Sequence, residues 1–298
     1  MRYLLSFFIV LSSYVVTAQD SQQSKLVAKG ATPVLVASDY KFTEGPAVDG
    51  KGNVFFTDQP NNRILKWTPG AGVTVFMENA GRSNGLYFDR AGNLLACADE
   101  KNELWLIDPN KNVTVLVRDY KGKKLNGPND LWVDSKGGVY LTDPFYKRDY
   151  WTRTEKEIES ENVYYLSPDR KKLTMVMDGF KRPNGIVGTP DGKKLYVADI
   201  GDAKTYVFDI GRDGSLSNRR LIAPMGSDGM TLDSKGNIYL TGKGVTIFDV
   251  SGKQVGHIPI AEPWTANVCF GGNDGKTLFI TASKSVYTVA MKVKGANQ

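Results

Sequence analysis

The sequence predicts an all-β fold, a six-bladed β-propeller, from a repeated pattern, the period of that pattern and the lack of a linker between repeats. Each repeat has a polar residue, a short apolar run, an Asp- and Gly-rich turn and a second strand-like run. The repeats begin at Glu44, Asn84, Asn129, Asn184, Asp228 and Asn267, with spacings of 40, 45, 55, 44 and 39 residues. A period of roughly 40 to 50 residues made of short β-like runs is typical of propeller blades.

The two runs of each repeat are expected to form a hairpin. The turns read Asp-Gly-Lys-Gly-Asn or Asp-Ser-Lys-Gly-Asn, and Gly and Asn tolerate positive φ. Antiparallel pairing then sets an aspartate at the end of the second run beside the residue that opens the first. The predicted pairs, in which the aspartate orients its neighbour, are Glu44 with Asp58, Asn84 with Asp99, Asn129 with Asp143, and Asn184 with Asp199.

The ring is expected to close through the N-terminal part of the domain. Only 31 residues follow Asn267, which is enough for about three strands with their turns. The run that begins at Pro33 supplies the fourth strand of the last blade, and this closure removes free sheet edges.

The N-terminus is predicted to be a signal peptide, residues 1–18, followed by a single domain, residues 19–298. An apolar stretch from Tyr3 to Val16 follows Arg2, and small residues precede a cleavage site after Ala18. The alternative, a membrane anchor, needs roughly 20 apolar residues, more than this stretch contains. We therefore expect export to the periplasm or the medium, and no membrane span.

Charge and cysteine content exclude several classes of function. The net charge of +6 becomes +5 without Arg2, and the lysines are scattered through turns, which gives no support for nucleic-acid binding. Cys97 and Cys269 lie in predicted strands of different blades. Export would permit a disulfide, but the burial tendency of free cysteine favours two separate buried thiols.

The residues that open the repeats predict a metal site in the central channel, because equivalent positions of the innermost strands point into it. Glu44 and Asp228 contribute two negative charges, and Asn129 and Asn184 contribute carboxamide oxygens. Such hard ligands suit Ca²⁺, although other divalent ions are possible. Zinc is excluded because the chain has one His and two separated Cys. The residues alone leave open whether the ion is catalytic or ties the blades together.

Nucleophilic triads and nucleotide hydrolysis lack support. Any Ser-His-Asp triad would need His257, which lies in a strand-like stretch away from the acidic residues and is expected to be a packed histidine. No phosphate-binding loop of the GxxxxGK[ST] type occurs.

The longest spacing contains an insert, Pro144–Asn162, which leaves the chain at the channel mouth. Its aromatic residues either form a wall or lid over the site or pack on their own blade as a surface loop. These residues are Phe145, Tyr146, Tyr150 and Trp151. Arg82 lies two residues before Asn84 and is expected to contact an oxyanion or a hydroxyl-rich substrate.

Four segments identify a family. Arg82-SNGL, Asn126-GPNDLWVD, Lys181-RPNGI and Gly226-SDGMTLDSKGNIYL resemble the gluconolactonase or regucalcin-like (senescence-marker-protein-like) family of six-bladed β-propellers, over residues 43–289. The resemblance implies a Ca²⁺-type ion, with Asn129 either on the metal or on the substrate and with Arg82 and Asn84 on the substrate side. The metal ligands that it implies are Glu44, Asn129, Asn184 and Asp228.

The resemblance and the predicted ring together imply a lactonase. We expect an exported enzyme that opens a lactone, a sugar lactone in particular, with Ca²⁺ polarising the ester carbonyl. Asp228 is the first candidate for taking the proton of the attacking water, and Asp199 the second. The alternatives are a phosphotriesterase-like hydrolase and a non-catalytic propeller that binds a carbohydrate or a protein.

Overall fold

The computed structural model of the protein describes residues 25–296. The predicted signal peptide, residues 1–18, lies outside the described residues and stays a prediction. None of the helices formed by residues 25–296 has the length and apolar character needed to cross a membrane.

The described chain folds into six four-stranded antiparallel sheets. Strand β1 is Val34–Ala37. Blade 1 contains β2 (Thr43–Val48), β3 (Val54–Asp58), β4 (Arg63–Thr68) and β5 (Gly72–Glu78). Blade 2 contains β6 (Ser83–Phe88), β7 (Leu94–Ala98), β8 (Glu103–Ile107) and β9 (Val113–Val117). A small hairpin of β10 (Asp119–Tyr120) and β11 (Lys123–Lys124) leads to the third blade.

Blades 3 to 6 repeat this order. Blade 3 contains β12 (Leu131–Val133), β13 (Val139–Asp143), β14 (Glu161–Leu166) and β15 (Leu173–Phe180). Blade 4 contains β16 (Pro183–Gly188), β17 (Lys194–Asp199), β18 (Lys204–Ile210) and β19 (Leu216–Ala223). Blade 5 contains β20 (Met230–Leu232), β21 (Ile238–Gly242), β22 (Gly244–Phe248) and β23 (Gln254–Ile258). Blade 6 contains β24 (Thr265–Gly271), β25 (Thr277–Ala282), β26 (Ser285–Ala290) and β1. Short 3₁₀ turns are formed by Gln59–Asn61 and Ile200–Asp202.

The six-bladed propeller predicted from the repeats is confirmed, including its closure. Strand β1 pairs antiparallel with β26, with Val34 opposite Thr288 and Leu35 opposite Tyr287. The N-terminal strand therefore completes the last blade, and every blade has four strands. Closure of this kind leaves no unpaired strand between the first and last blades.

The core lies between blades. Strands that are apolar on both faces pack against the neighbouring blades. One apolar cluster, for example, joins Trp132 and Tyr140 of blade 3 to Val187 of blade 4 and Ile238 of blade 5. This burial on both faces explains why the inner strands read as continuous apolar runs rather than as alternating ones.

The inner strands approach one another closely around the channel, and glycine permits the contact. Gly45 has φ +47°, and a Cβ there would lie 2.0 Å from the carbonyl oxygen of Asn84 in the next blade. A Cβ on Gly229 would lie 1.9 Å from Cγ of Asn267. The glycine after a channel residue of one blade thus packs on the channel residue of the next, which fixes the ring.

The cysteines and the single histidine lie away from the channel mouth. Cys97 and Cys269 are both buried and free, as predicted. His257 is on the outermost strand of blade 5 and pairs with Thr246 through Nδ1. Neither the thiols nor the imidazole lines the cavity described next.

Candidate active site

A cavity of about 240 Å³ opens at the mouth of the channel. This volume suits a small molecule rather than a polymer. Five of the six residues that open the repeats line it, and Asn267 does not. The lining residues are Phe42, Glu44, Gln59, Asn84, Asn129, Tyr146, Arg148, Asn184, Ile200, Asp228 and Trp264.

The Asn184 carboxamide has a fixed orientation. Its Nδ2 donates to Oδ1 of Asp228 at 2.7 Å and to the hydroxyl of Tyr146 at 2.9 Å. Its Oδ1 is buried and accepts no hydrogen bond from the described residues. A buried oxygen left without a donor is costly, and a cation above it would satisfy it.

Each carboxylate oxygen of Asp228 accepts one hydrogen bond. Trp264 Nε1 donates to Oδ2 at 2.6 Å, opposite the Asn184 bond to Oδ1. Burial raises the pKa of Asp228 to about 6, while the hydrogen bonds from Trp264 and Asn184 act in the opposite direction. A carboxyl group of this pKa is suited to exchange protons near neutral pH.

Glu44 is buried, with 2% of its surface exposed, and its Oε2 accepts from the backbone N–H of Gly45 at 2.8 Å. Burial, followed by the charge of Asp228, raises the pKa of the Glu44 carboxyl well above its ordinary value. Two buried carboxylates that repel each other need a proton or a cation between them.

These groups fit a hard divalent cation. No cluster of three or more His, Cys, Asp and Glu side chains within residues 25–296 is arranged as a metal site. A site here would therefore combine the two carboxylates with carboxamide oxygens. The unpaired Asn184 oxygen beside Asp228 and Glu44 supplies that combination, which is the chemistry Ca²⁺ prefers.

A third carboxylate, which the sequence analysis missed, lies below this ring. Asp130 follows Asn129 at the position that glycine takes in blades 1, 2, 4 and 5. It accepts from the backbone N–H of Leu131, and burial raises its pKa to about 7. The Asn267 side chain acts to lower the pKa of both Asp130 and Glu44, so it lies near both acids.

In blades 1 and 4 the predicted pairing of the second-run aspartate with the ring residue is wrong by one position. Asp58 lies opposite Thr43, and Asp199 lies opposite Pro183. A β-bulge in the inner strand of each of these blades adds one residue and shifts the register. The ring residue is thereby turned toward the channel.

Three of these aspartates hold the backbone that leads into the ring. Asp58 accepts from the N–H groups of Lys41 and Phe42, Asp143 from those of Asn126 and Gly127, and Asp199 from those of Lys181 and Arg182. None bonds a ring side chain within the described residues, so they position the ring only through the backbone.

Two predicted site residues lie outside the cavity lining. Asp199 is 1% exposed, and its oxygens are occupied by backbone N–H groups, so it is not placed to take a proton from bound water. Arg82 donates from Nη1 to the Pro60 carbonyl, and its guanidinium lies 4.5 Å from the centre of the Tyr150 ring. Arg82 is thus held against Tyr150 of the insert and does not line the cavity.

The insert forms one wall of the cavity. Strand β14 begins at Glu161, so the loop itself is shorter than predicted, residues 144–160. Tyr146 and Arg148 line the cavity, as a wall requires. Phe145 and Trp151 instead pack on each other, with ring centres 5.8 Å apart.

The lining residues that sequence reasoning missed are Phe42, Gln59, Arg148, Ile200 and Trp264. Trp264 lies three residues before Asn267, at the start of the last inner strand, and this proximity was the available signal. Arg148 and Gln59 lie in a loop and a 3₁₀ turn, where no periodic pattern gives the direction of a side chain.

Comparison with known proteins agrees with this architecture. A family model described as the SMP-30/Gluconolactonase/LRE-like region matches residues 42–284. A gluconolactonase of Zymomonas mobilis is 33% identical, and the match covers 89% of this chain and 83% of that protein. A solved gluconolactonase of Xanthomonas campestris superposes with a TM-score of 0.84 at 28% identity, covering 90% of this chain and 92% of that one.

A relative with a different named activity also matches. Diisopropyl-fluorophosphatase of Loligo vulgaris is 25% identical over 83% of this chain and 87% of that protein. The extent of the family match, together with the identity to the Zymomonas protein, shows that the chain belongs to the SMP-30/gluconolactonase/LRE-like family.

Proposed function

We propose that this protein is a calcium-dependent lactonase that opens the ring of a sugar lactone. The observation that carries the proposal is the Asn184 carboxamide, held so that its unpaired oxygen joins Asp228 and Glu44 in a cavity of small-molecule size. The gluconolactonases among the relatives support lactone hydrolysis as the reaction.

Glu44, Asn184 and Asp228 are the proposed ligands of the ion. Asn129 lines the same cavity and is either a further ligand or a substrate contact, with Asn84 beside it on the substrate side. When bound, Ca²⁺ would act as a Lewis acid that polarises the ester carbonyl.

Asp228 is the proposed acceptor of the proton from the attacking water. Each of its oxygens carries one hydrogen bond, from Asn184 or from Trp264, so each retains a lone pair. Burial raises the pKa of Asp228 above its ordinary value, which favours proton uptake by its carboxylate. Phe42, Ile200 and Trp264 add apolar surface that limits the water around the reacting ester.

Hydrolysis of glucono-δ-lactone, followed as proton release, tests the proposal. We expect turnover above the spontaneous rate, loss of turnover after chelation and recovery on adding Ca²⁺. Chelated protein serves as the blank for spontaneous ring opening. If no lactone is turned over while the protein binds a sugar or a protein partner, the non-catalytic alternative is correct.

Phosphotriester hydrolysis is the second candidate, because the fluorophosphatase relative aligns along most of this chain. In that reaction the phosphoryl oxygen of the substrate would take the place of the ester carbonyl oxygen at the proposed Ca²⁺ site. A panel that compares sugar lactones, acyl lactones and phosphotriesters at equal Ca²⁺ decides between the two, and we expect the sugar lactones to have the highest kcat/KM.

Trp264→Phe is expected to lower activity by roughly 10- to 100-fold, because it removes a donor that orients a proposed metal ligand. The Trp264 hydrogen bond lowers the pKa of Asp228, so its loss raises that pKa. The acid limb of the kcat profile should therefore move to higher pH. Trp67→Phe, a change in the core of blade 1, is the matched control. If the acid limb of the kcat profile does not shift in Trp264→Phe, the Trp264 hydrogen bond does not tune the group that takes the proton in catalysis.

Export is proposed from residues 1–18 alone. Amino-terminal sequencing of protein recovered from the periplasm or the medium should begin at Gln19, and an intact Met1 on that protein would contradict cleavage.

A further inference from the structure

Arg148 is the cation among the described residues that line the cavity. Its Nε donates to Oδ2 of Asp99 at 2.8 Å, and its guanidinium lies 5.3 Å from the centre of the Tyr146 ring. Its Nη1 and Nη2 donate no hydrogen bond to any residue in the range 25–296. The side chain is 24% exposed, so these donors are available at the cavity.

Asp99 differs from the corresponding aspartates of blades 1, 3 and 4. Those three accept backbone N–H groups, whereas Asp99 accepts from side chains: Gln59 at 3.1 Å, the Tyr150 hydroxyl and Arg148. Its carbonyl also accepts from Trp151 Nε1 at 2.8 Å. Asp99 is 2% exposed. One buried residue of blade 2 therefore fixes three side chains of the insert.

Arg148 and Asp228 line the same cavity but are held by different blades. Arg148 is held by Asp99 on the side of blade 2, while Asp228 and Trp264 belong to blades 5 and 6. Blades 2 and 5 lie opposite each other in a ring of six. A lactone whose carbonyl lies over Glu44 and Asp228 therefore has its other substituents in a cavity that Arg148 also lines.

We propose that Arg148 is a specificity-determining residue that donates from Nη1 and Nη2 to an oxygen-bearing substituent of the lactone, and that Asp99 is the positioning residue that holds it there. The inference rests on the proposed function. A guanidinium has donors only, and its pairing with Asp99 leaves the local charge near zero. Hydroxyl and carboxylate oxygens are both suitable acceptors, whereas an unsubstituted lactone has no acceptor other than its two ester oxygens.

The experiment compares kcat/KM for three lactones: glucono-δ-lactone, a glucarolactone that carries a carboxylate, and δ-valerolactone, which has no substituent. In Arg148→Met, kcat/KM for the oxygen-bearing lactones should fall roughly 10- to 100-fold relative to δ-valerolactone, the range for a lost hydrogen bond to a charged donor. The larger loss identifies whether hydroxyl or carboxylate is the better partner. Should δ-valerolactone turn over too slowly, its inhibition constant replaces kcat/KM.

Lys147→Met is the matched control, because it removes an equal charge from the neighbouring, exposed position of the same insert. It should leave the ratio between lactones unchanged. Arg148→Lys, which keeps the charge without the planar fork, should have an intermediate ratio. Calcium binding and the thermal midpoint of each variant establish that it is folded.

Asp99→Asn tests the positioning role. In otherwise wild-type protein, Asp99→Asn should lower kcat/KM for the oxygen-bearing lactones relative to δ-valerolactone. In the Arg148→Met background it should have no further effect on that ratio, because Asp99 acts through Arg148. Additive effects of the two changes would assign Asp99 a purely structural role. An equal loss for all three lactones in Arg148→Met, or an unchanged ratio, overturns the inference while lactonase activity stands. Absence of lactone turnover by the wild type overturns the proposed function and this inference with it.

Discussion

Glu44→Gln is expected to weaken calcium binding by at least about 100-fold and to remove lactone turnover at limiting Ca²⁺. The change removes one of the two formal charges among the proposed ligands, and calcium affinity depends strongly on the charge of its site. Calorimetric titration of chelated protein measures the affinity, and the lactone assay follows turnover in the same preparation.

Glu103→Gln is the control for this prediction. Glu103 is also a buried glutamate, and it accepts from Trp105 Nε1 outside the cavity. We expect wild-type calcium affinity in this variant. Equal calcium affinities of Glu44→Gln and the wild type would remove Glu44 from the metal site.

Asp228→Asn is expected to lower kcat/KM by roughly a thousandfold, within the range for loss of a general base. The variant loses the negative charge and the proton acceptor together. Because both Asp228 oxygens accept hydrogen bonds, from Asn184 and Trp264, the new amide must direct its NH₂ toward one of these donors. The site is therefore disturbed even where the shape of the side chain is kept.

Saturating Ca²⁺ separates the two variants. We expect Glu44→Gln to regain part of its turnover once the ion is bound, whereas Asp228→Asn should stay inactive because the proton acceptor is gone. Asp199→Asn is the control, since Asp199 holds backbone N–H groups outside the cavity. A folded Asp199→Asn protein with the same loss as Asp228→Asn would transfer the proton-accepting role to Asp199.

The blade order and the ring residues were predictable because each depends on a short pattern that the chain repeats. Glu44, Asn184 and Asp228 each open an inner strand, and symmetry carries equivalent positions to one channel. Closure by Val34–Ala37 followed from the number of residues left in the last repeat. In these cases the local sequence pattern and the repeat count together determine where a strand lies in the propeller.

The remainder depends on contacts that no local pattern encodes. A single bulged residue in the inner strands moved Asp58 and Asp199 off the ring side chains, and such a shift leaves the apolar pattern of the strand unchanged. Asp99 resembles its counterparts in sequence, but two of its side-chain partners come from the insert about 50 residues later. Long-range side-chain pairs of this kind follow only from the folded structure.

Joint measurement of calcium binding and lactone turnover on one chelated sample tests the central claim most directly. We expect one ion to bind per chain and turnover to rise along the same saturation curve. Glu44→Gln should shift both the binding curve and the turnover curve to higher Ca²⁺ concentration. Full turnover by protein freed of calcium, or an ion that binds without any effect on turnover, would contradict the central claim.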